Sequence, residues 1–485
     1  MTIGSVPIAD IQFDVFCRHE LVPILLALQH LYVNRKQTLE KICELIEQDI
    51  VCQQSPKLGC EGLTYWEILV LASLRLGCNL DFDQLSDLST NHRKIRQMMG
   101  LSDYDGKRYP KSTINDNLTT LSAKTIDAIS LLIVTEGHDF QPDAVERVRC
   151  DSYVMKKNIH YPTDSNLLLD AVRKVIHHSQ QLASYYQING WRKHDYLYKK
   201  TRRIKRRIDK VARSRKKDKD NELKALYVQL LEHAHRIVDR SLETIHLFHS
   251  LKDNAPAAVQ SRCDDLANGL QYYIAAVEYV AELASRRVFN DETIPNADKV
   301  FSIFETDTEL INRGKQPNPI EFGHRVLIIQ DKAGFIIHAR VMGIGITDEK
   351  IIVEVMENLQ KRFNDKIRAA SFDKGFWTPN NLKQLSEFVP LVVLPKKGKR
   401  SQADIERESE KEFGKTRRWH AGVESAIHAL GSGNGLSLCR DKGDDGYRRY
   451  LALGVLGRNL QTLGTILLEK ERKLKREQML MSCLG

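Results

Sequence analysis

A chain of 485 residues, 42% hydrophobic and 28% charged, has room for more than one domain and the make-up of an ordinary soluble protein. No run of roughly 18 apolar residues is present, which argues against a membrane span. The N-terminal MTIGSVPIADIQFD lacks the basic-then-apolar order of a secretion signal, so a cytoplasmic protein is expected.

The nine cysteines (Cys17, Cys43, Cys52, Cys60, Cys78, Cys150, Cys263, Cys439, Cys483) are scattered and never form a CxxC pair. That fits free thiols in a reducing compartment and argues against a zinc knuckle or a disulfide framework. The net charge of +10 is concentrated: residues 190–219 hold fifteen Lys or Arg against three acids, which exceeds the excess of the whole chain. One basic block points to a polyanion on one surface; a solvated helix face is the alternative.

Up to about residue 140, apolar residues recur at helical spacing. LVPILLALQHLYVNRKQTLEKICELIEQDI, LTYWEILVLASLRLGCNLDFDQLSDL (broken near 77–79), NHRKIRQMMGL and YPKSTINDNLTTLSAKTIDAISLLIV all predict helices. Ser112 and Thr113 ahead of Ile114 mark a helix start, and a short helix after a turn suits the major groove of DNA. Residues 1–140 thus read as a helical DNA-binding or dimerisation domain.

Residues 145–153 predict a strand with Asp151 near its centre or end. From 167 to about 288 long helices are expected. Ile204, Ile208 and Val211 form a narrow apolar seam in the basic block, and Leu223, Leu226, Leu230, Ile237, Val238, Leu242 and Ile245 continue such a stripe, so these helices pair as a hairpin or small bundle. The period then changes. Residues 324–330 and 335–342 are strand-like, joined by Asp331-Lys332-Ala333-Gly334, a hairpin signal. After them come a helix at 348–363, a strand at 366–372, a helix at 379–387 and a buried strand at 388–394. A charged loop, KKGKRSQADIERESEKEFGKTRR, precedes a helix carrying Glu424. Glycines at 431–435 end that helix, and a long closing helix covers 447–473.

With 165–320 set aside as a basic helical insertion, the order predicts a mixed α/β fold with helices on the faces of a mixed sheet. The core comprises 141–164 and 321–440, and a C-terminal helix at 441–485 packs on it. GxGxxG, GxxxxGK[ST] and HExxH are all absent.

Three acids stand out. Asp151 lies on the first strand, Asp373 closes the strand-like run 367–372, and Glu424 lies in the helix-like RRWHAGVESAIHAL. A carboxylate on a strand costs desolvation energy unless a hydrogen bond, a basic partner or a metal ion offsets it. Singly, each reads as a cap or a salt-bridge partner; in the order strand, strand, helix they read as metal ligands. Asp331 competes, but it sits in a hairpin turn where Asp serves the backbone. Asp164 is expected to cap a helix beginning near Asn166.

The words CDSYVMKKNIHYPTDSNLLLDAVR, KQPNPIEFGHRVLIIQDKAGFIIHARVM, SFDKGFWTP, LVVLPKKG and VESAIHAL followed by YRRYLALGVLGRNLQTLG, together with this element order, resemble DDE transposases of bacterial insertion sequences, in the subgroup called ISNCY-like. The resemblance covers roughly 60–480 and is strongest in NIHYPTD and DKGF. It implies an RNase H-like catalytic core, with Asp151, Asp373 and Glu424 matching the catalytic triad one by one. It also implies cleavage at terminal inverted repeats, transfer of the 3′-OH into target DNA, double-stranded DNA as partner, a homodimer on two ends, no membrane, and a nucleoid-associated place in the cytoplasm. The chain departs from relatives in which Tyr, Arg and Lys flank the Glu at fixed spacings: His420 stands four before Glu424, Arg417 seven before and Gly431 seven after. Arg417 and Arg418 are the stand-ins expected to face phosphate.

Phosphodiester cleavage needs an activated water and a stabilised leaving oxygen. Two Mg2+ (or Mn2+) ions about 3.5–4 Å apart supply both, and Mg2+ takes oxygen donors. Asp151 is then the bridging ligand, with Asp373 and Glu424 completing the two sites. Arg202, Arg203, Lys205, Arg206 and Arg207 of the basic block, and Lys396 and Lys397 with Lys399 and Arg400 of the charged loop, are the expected DNA contacts. Three auxiliary residues have two readings each. His160 meets a phosphate or orients a metal-bound water, or else is a structural histidine. Trp377 stacks on an unpaired base or is core. His420, on one helix face with Glu424 and His428, contacts phosphate or packs. Two other outcomes share these features: an RNase H-like nuclease that cuts without joining, and a non-catalytic DNA-binding protein derived from a transposase.

Overall fold

The computed structural model describes residues 5–53, 62–215, 217–252, 256–314 and 319–484. Lys216 of the basic block, Cys60 and the KQPN that opens one of the family-like words lie outside the described residues, as do the side chains of Cys52 and Cys483. The other six cysteines are free thiols. The chain divides into two compact units, Met1–Asn158 with Gly323–Gly485, and Ile159–Phe322.

The first unit is mixed α/β. Its N-terminal part is helical: α1 (Leu21–Asn34), α2 (Lys36–Gln53), α3 (Tyr65–Gly77), α4 (Phe82–Asn91), α5 (Arg93–Met98), α6 (Lys111–Thr120) and α7 (Ala123–Phe140). Capping explains where several begin. Thr64 and Glu67 form a reciprocal box at α3, Asp81 and Gln84 another at α4, and Ser122 caps α7. Helix α6 starts at Lys111 behind Pro110, one residue ahead of the Ser112 start signal.

The strand β1 (Arg147–Lys157) follows, with Asp151 as the fifth of its eleven residues. In the first unit it is flanked by β3 (Ile320–Asp331), antiparallel, and by β5 (Ala369–Phe372), parallel; β6 (Leu391–Val393) lies beyond β5, β4 (Ile336–Val341) pairs with β3, and β7 (Leu438–Cys439) with the end of β1. β3 begins in the second unit, which also holds the short strand β2 (Glu309–Asn312), a neighbour of β3. Between β4 and β5 runs α12 (Asp348–Arg362), and between β5 and β6 runs α13 (Pro379–Phe388), capped by Thr378 with Pro379 in its first turn.

The charged stretch after β6, expected as a loop, is two helices, α14 (Gln402–Ser409) and α15 (Lys411–His420). Ser401 and Asp404 make a capping box at the start of α14, and Phe413, 1% exposed, anchors α15 in the core. The helix expected around Glu424 is α16 (Gly422–His428), separated from α15 at Ala421 and followed by a π-helical turn at Ala429–Gly433.

The last helix, α17 (Gly443–Leu484), is the hub of this unit. It packs on α1, α3, α7 and β4. Asn459, fully buried, accepts from the Ile336 N–H at 2.8 Å and donates to its carbonyl at 2.9 Å, so its amide completes the outer edge of β4. One hydrophobic core runs from Ile8 through the sheet to Ile466, so the N-terminal helices share the core of the sheet. Within α17, Gly443–Gln478 is long and apolar enough for a bilayer by length and composition, but 72% of that apolar window is buried among the protein's own residues. The pair α6 and α7, bent by 84°, passes the same test only if taken together.

On β4, His338 is held neutral: burial, with Arg362 and Arg340 nearby, pushes its pKa down to about 4, and its Nε2 is buried without a partner. A histidine depressed in the fold binds fewer protons there than when unfolded, so stability falls as pH drops below about 6.5 and goes on falling to about 4. This group contributes a slope of about 1.4 kcal/mol per pH unit in that window. Urea unfolding of wild type and His338→Leu between pH 7 and 5 is expected to show the variant's stability falling less steeply; parallel curves would contradict it.

The second unit is a helical bundle of α8 (Asp164–Tyr186), α9 (His194–Ala212), α10 (Lys219–Leu251) and α11 (Ala257–Phe289). It has its own core, which includes Leu168, Val172, Leu230, Phe248, Leu270 and Val277. Trp191, 3% exposed, donates to Thr244 Oγ1 at 2.8 Å and fixes the α8–α9 connection. On α9 the expected seam is buried, with Thr201 added to Ile204, Ile208 and Val211.

Candidate functional site

β1 and β5 run parallel, with Arg149 opposite Ser371 and Cys150 opposite Phe372. Continuing that register by one residue brings Asp151 level with Asp373. Because side chains alternate along a strand, Arg149, Asp151 and Ser371 share one face of the sheet, and Asp373 follows directly after the last residue of β5. Asp373 is solvent-exposed and Asp151 half-buried. Asp151 Oδ1 accepts from the Ser152 N–H at 2.7 Å, which turns the carboxyl toward its own strand.

The same face receives the end of α15. Arg149 donates from Nη1 to the Trp419 carbonyl at 2.9 Å and stacks its guanidinium over the Trp419 ring at 4.8 Å, while Nε and Nη2 both donate to Gln330 Oε1. His420 Nδ1 lies 3.1 Å from Ser371 Oγ. A Cβ at position 422 would collide with Arg149 Nη1, so α16 begins close against that guanidinium and packs on β1. Glu424 follows two residues later and is exposed.

His420 is therefore a neighbour of Asp373. Burial lowers its pKa, and the Asp373 charge pulls the other way. Of the three residues expected on one helix face, His420 ends α15, while Glu424 and His428 stand one turn apart on α16. His428 also lines a cavity.

One acid at this end of the sheet was missed. Asp348 opens α12, and burial raises its pKa, with Ser152 hydrogen-bonding to it and the Asp373 charge nearby. Its Oδ1 is buried with no partner. In sequence, an Asp behind Thr347 at a helix start signals only a favourable first turn, and nothing in that pattern marks it as part of a site.

The donor chemistry of Asp151, Asp373 and Glu424 suits a hard divalent cation: carboxylate oxygens, two of the three groups open to solvent. As placed, no three His, Cys, Asp or Glu side chains among the described residues are gathered closely enough to hold a metal ion.

The two competing acids have structural partners. Asp331 is fully buried; it accepts from the Phe335 N–H at 2.9 Å across the hairpin and meets His138 Nε2 at 2.7 Å. Asp164, in the second unit, is ion-paired with Arg287. Thr163 rather than Asp164 caps α8, its side chain accepting from Asn166 N at 3.2 Å. His160, also in the second unit, is exposed and sits 3.0 Å from Asp170 Oδ2.

The expected DNA-contacting cations divide into two groups. On α9, Arg202, Arg203, Arg206 and Arg207 are exposed opposite the buried seam, and no carboxylate among the described residues pairs with them. Lys205 is tied to Asp209 at 2.6 Å. In the first unit many of the charges are internally matched. Lys396 pairs with Asp404 at 2.5 Å, holding that carboxyl well below its usual range, and lies 5.5 Å over the ring of Trp377. Arg400, Arg407 and Arg417 converge on Glu408, at 3.2, 3.7 and 3.8 Å. Lys397 and Arg418 are exposed. Trp377 is half-buried against the core, its indole Nε1 buried without a partner. Comparison with protein-family models, with curated proteins and with solved structures found no match for this chain.

Proposed function

We propose that this protein is a DDE-type transposase that cleaves DNA at the terminal inverted repeats of its element and joins the 3′-OH to target DNA. The observation that carries the reading is the register of β1 and β5. Cys150 and Phe372 are the last pair of these parallel strands, so Asp151 and Asp373 each follow directly after that pair, and the helix bearing Glu424 packs on β1. The order β1, β3, β4, α12, β5, α13, β6, with β3 antiparallel and β5 and β6 parallel, supports reading the sheet as an RNase H-like core.

In this reading Asp151, Asp373 and Glu424 hold two Mg2+ or Mn2+ ions, which supply an activated nucleophile and charge at the scissile phosphate. The protein's own residues orient the site. Arg149 and Gly422 seat the α15–α16 junction on the sheet, and Ser371 fixes the ring of His420 beside Asp373. The exposed arginines of α9 grip DNA phosphates without reading sequence. The partner is double-stranded DNA, engaged by a homodimer at two ends in the cytoplasm.

The test is a supercoiled plasmid carrying the DNA that flanks the reading frame, incubated with the protein and Mg2+. Excised and joined products are expected. Nicking without joining would leave a nuclease, and no metal-dependent cutting would remove the reading. For the grip, replacing Arg202, Arg203, Arg206 and Arg207 together by Gln should lower the slope of log affinity against log salt by about 3–4, since each phosphate contact contributes about 0.9. Fluorescence anisotropy across a salt series measures this; an unchanged slope would place the phosphate contacts elsewhere.

A further inference from the structure

The first unit contains a cavity of about 560 Å3 between the segment ahead of α1, the turn that follows α16, and one side of α17. Its wall is unusually cationic. Arg18 comes from the N-terminal segment and Arg458 and Arg472 from α17, with His19 and His428 beside them and Glu20 as the one acid in the lining. None of the three guanidinium groups is ion-paired among the described residues.

Arg458 is the anomaly. It interrupts a helix whose neighbouring positions, Leu456, Gly457 and Asn459, are buried, and its Nε is buried with no hydrogen-bond partner. A shielded guanidinium with an unused donor is costly unless an anion meets it. Glu20 lies near enough to act on it electrostatically but forms no ion pair with it. Arg472, which also lines the cavity, donates its Nε to the Val15 carbonyl at 2.6 Å. Arg18 is exposed at the rim.

We infer that this cavity is a binding site for a phosphate group. A tetrahedral anion presents several acceptor oxygens, and forked guanidinium donors match them better than any neutral ligand would. The inference stands apart from the proposed catalysis, since none of the three acids lines the cavity. Two sources share this chemistry, a backbone phosphate of DNA and a free phosphorylated small molecule.

Isothermal titration of the full chain with inorganic pyrophosphate, at fixed ionic strength in chloride, tests the site. Saturable binding is expected for wild type. Loss of one charge-assisted contact should weaken it about tenfold or more in Arg458→Met and in Arg18→Ala, while Lys124→Ala, on the exposed side of α7, should bind as wild type. Arg18 is exposed, so its replacement leaves the folded core intact and keeps the test valid should Arg458→Met fold poorly. Absence of saturable binding in wild type, or equal affinity in Arg18→Ala, would overturn the site. A competing 20-base-pair duplex then identifies the source: displacement of pyrophosphate supports a backbone phosphate, and its retention supports a free phosphorylated ligand.

Discussion

Asp151→Asn, Asp373→Asn and Glu424→Gln are each expected to reduce Mg2+-dependent plasmid cleavage by roughly 10^3-fold, equivalent to about 4 kcal/mol of barrier. The amide replacements keep side-chain volume and remove the charge a divalent cation requires. Folding should be unaffected. Asp373 and Glu424 are exposed, and an Asn at position 151 retains an oxygen to accept from the Ser152 N–H. Affinity for end DNA without metal should therefore stay within about twofold, a change of less than 0.5 kcal/mol. A variant that cleaves at the wild-type rate removes its residue from the site, and full activity in all three removes the proposed mechanism.

The second large effect concerns how α17 is seated. Gly457 and Gly464 are seven residues apart and lie on one side of the helix. A Cβ at Gly457 would come within 2.6 Å of the Gly77 backbone on α3, and one at Gly464 would collide with the backbone of Pro23 on α1. Backbone cannot rotate away as a side chain can, so the helices must separate, and the packing around Leu25, Leu28, Leu460 and Leu463 opens with them. Gly464→Ala and Gly457→Ala should each cost about 3 kcal/mol or more, the upper range for overpacking. Gly414→Ala is the control: on α15 its Cβ would meet only the tip of Arg418 at 3.9 Å, and the gain in helix propensity should stabilise by about 0.5–1 kcal/mol. Equal urea midpoints for Gly464→Ala and Gly414→Ala would contradict the close crossing.

Much of the sheet was legible because its strands are written in β-branched residues. The runs through Val326–Ile329 and Ile336–Ile337 gave their own period, and the 331–334 turn gave the hairpin. The two-residue β7 has no such signal; it exists only because β1 is long enough to offer Lys156 and Lys157 as partners. The helices α14 and α15 were hidden by charge, although Ser401 and Asp404 spell a capping box. The placement of the N-terminal helices was not readable, since amphipathic spacing tells which face is buried but not what buries it. The same limit explains Asp348: its linear surroundings are those of any helix start, and its orphaned oxygen arises only from the fold.

One feature of the sheet bears on how the molecule reaches its native state. β1 and β3 pair as a hairpin would, Lys156 opposite Gly323, yet the whole of Ile159–Phe322 lies between those two paired residues. As a floppy tether that span would raise the entropic cost of bringing the strands together by about 3 kcal/mol over a four-residue turn. A bundle with a core of its own would shorten that tether if it collapsed before the strands met. During synthesis, β1 emerges long before its antiparallel neighbour and waits with an open edge, which makes the nascent chain a natural client for chaperones until the bundle has cleared the ribosome.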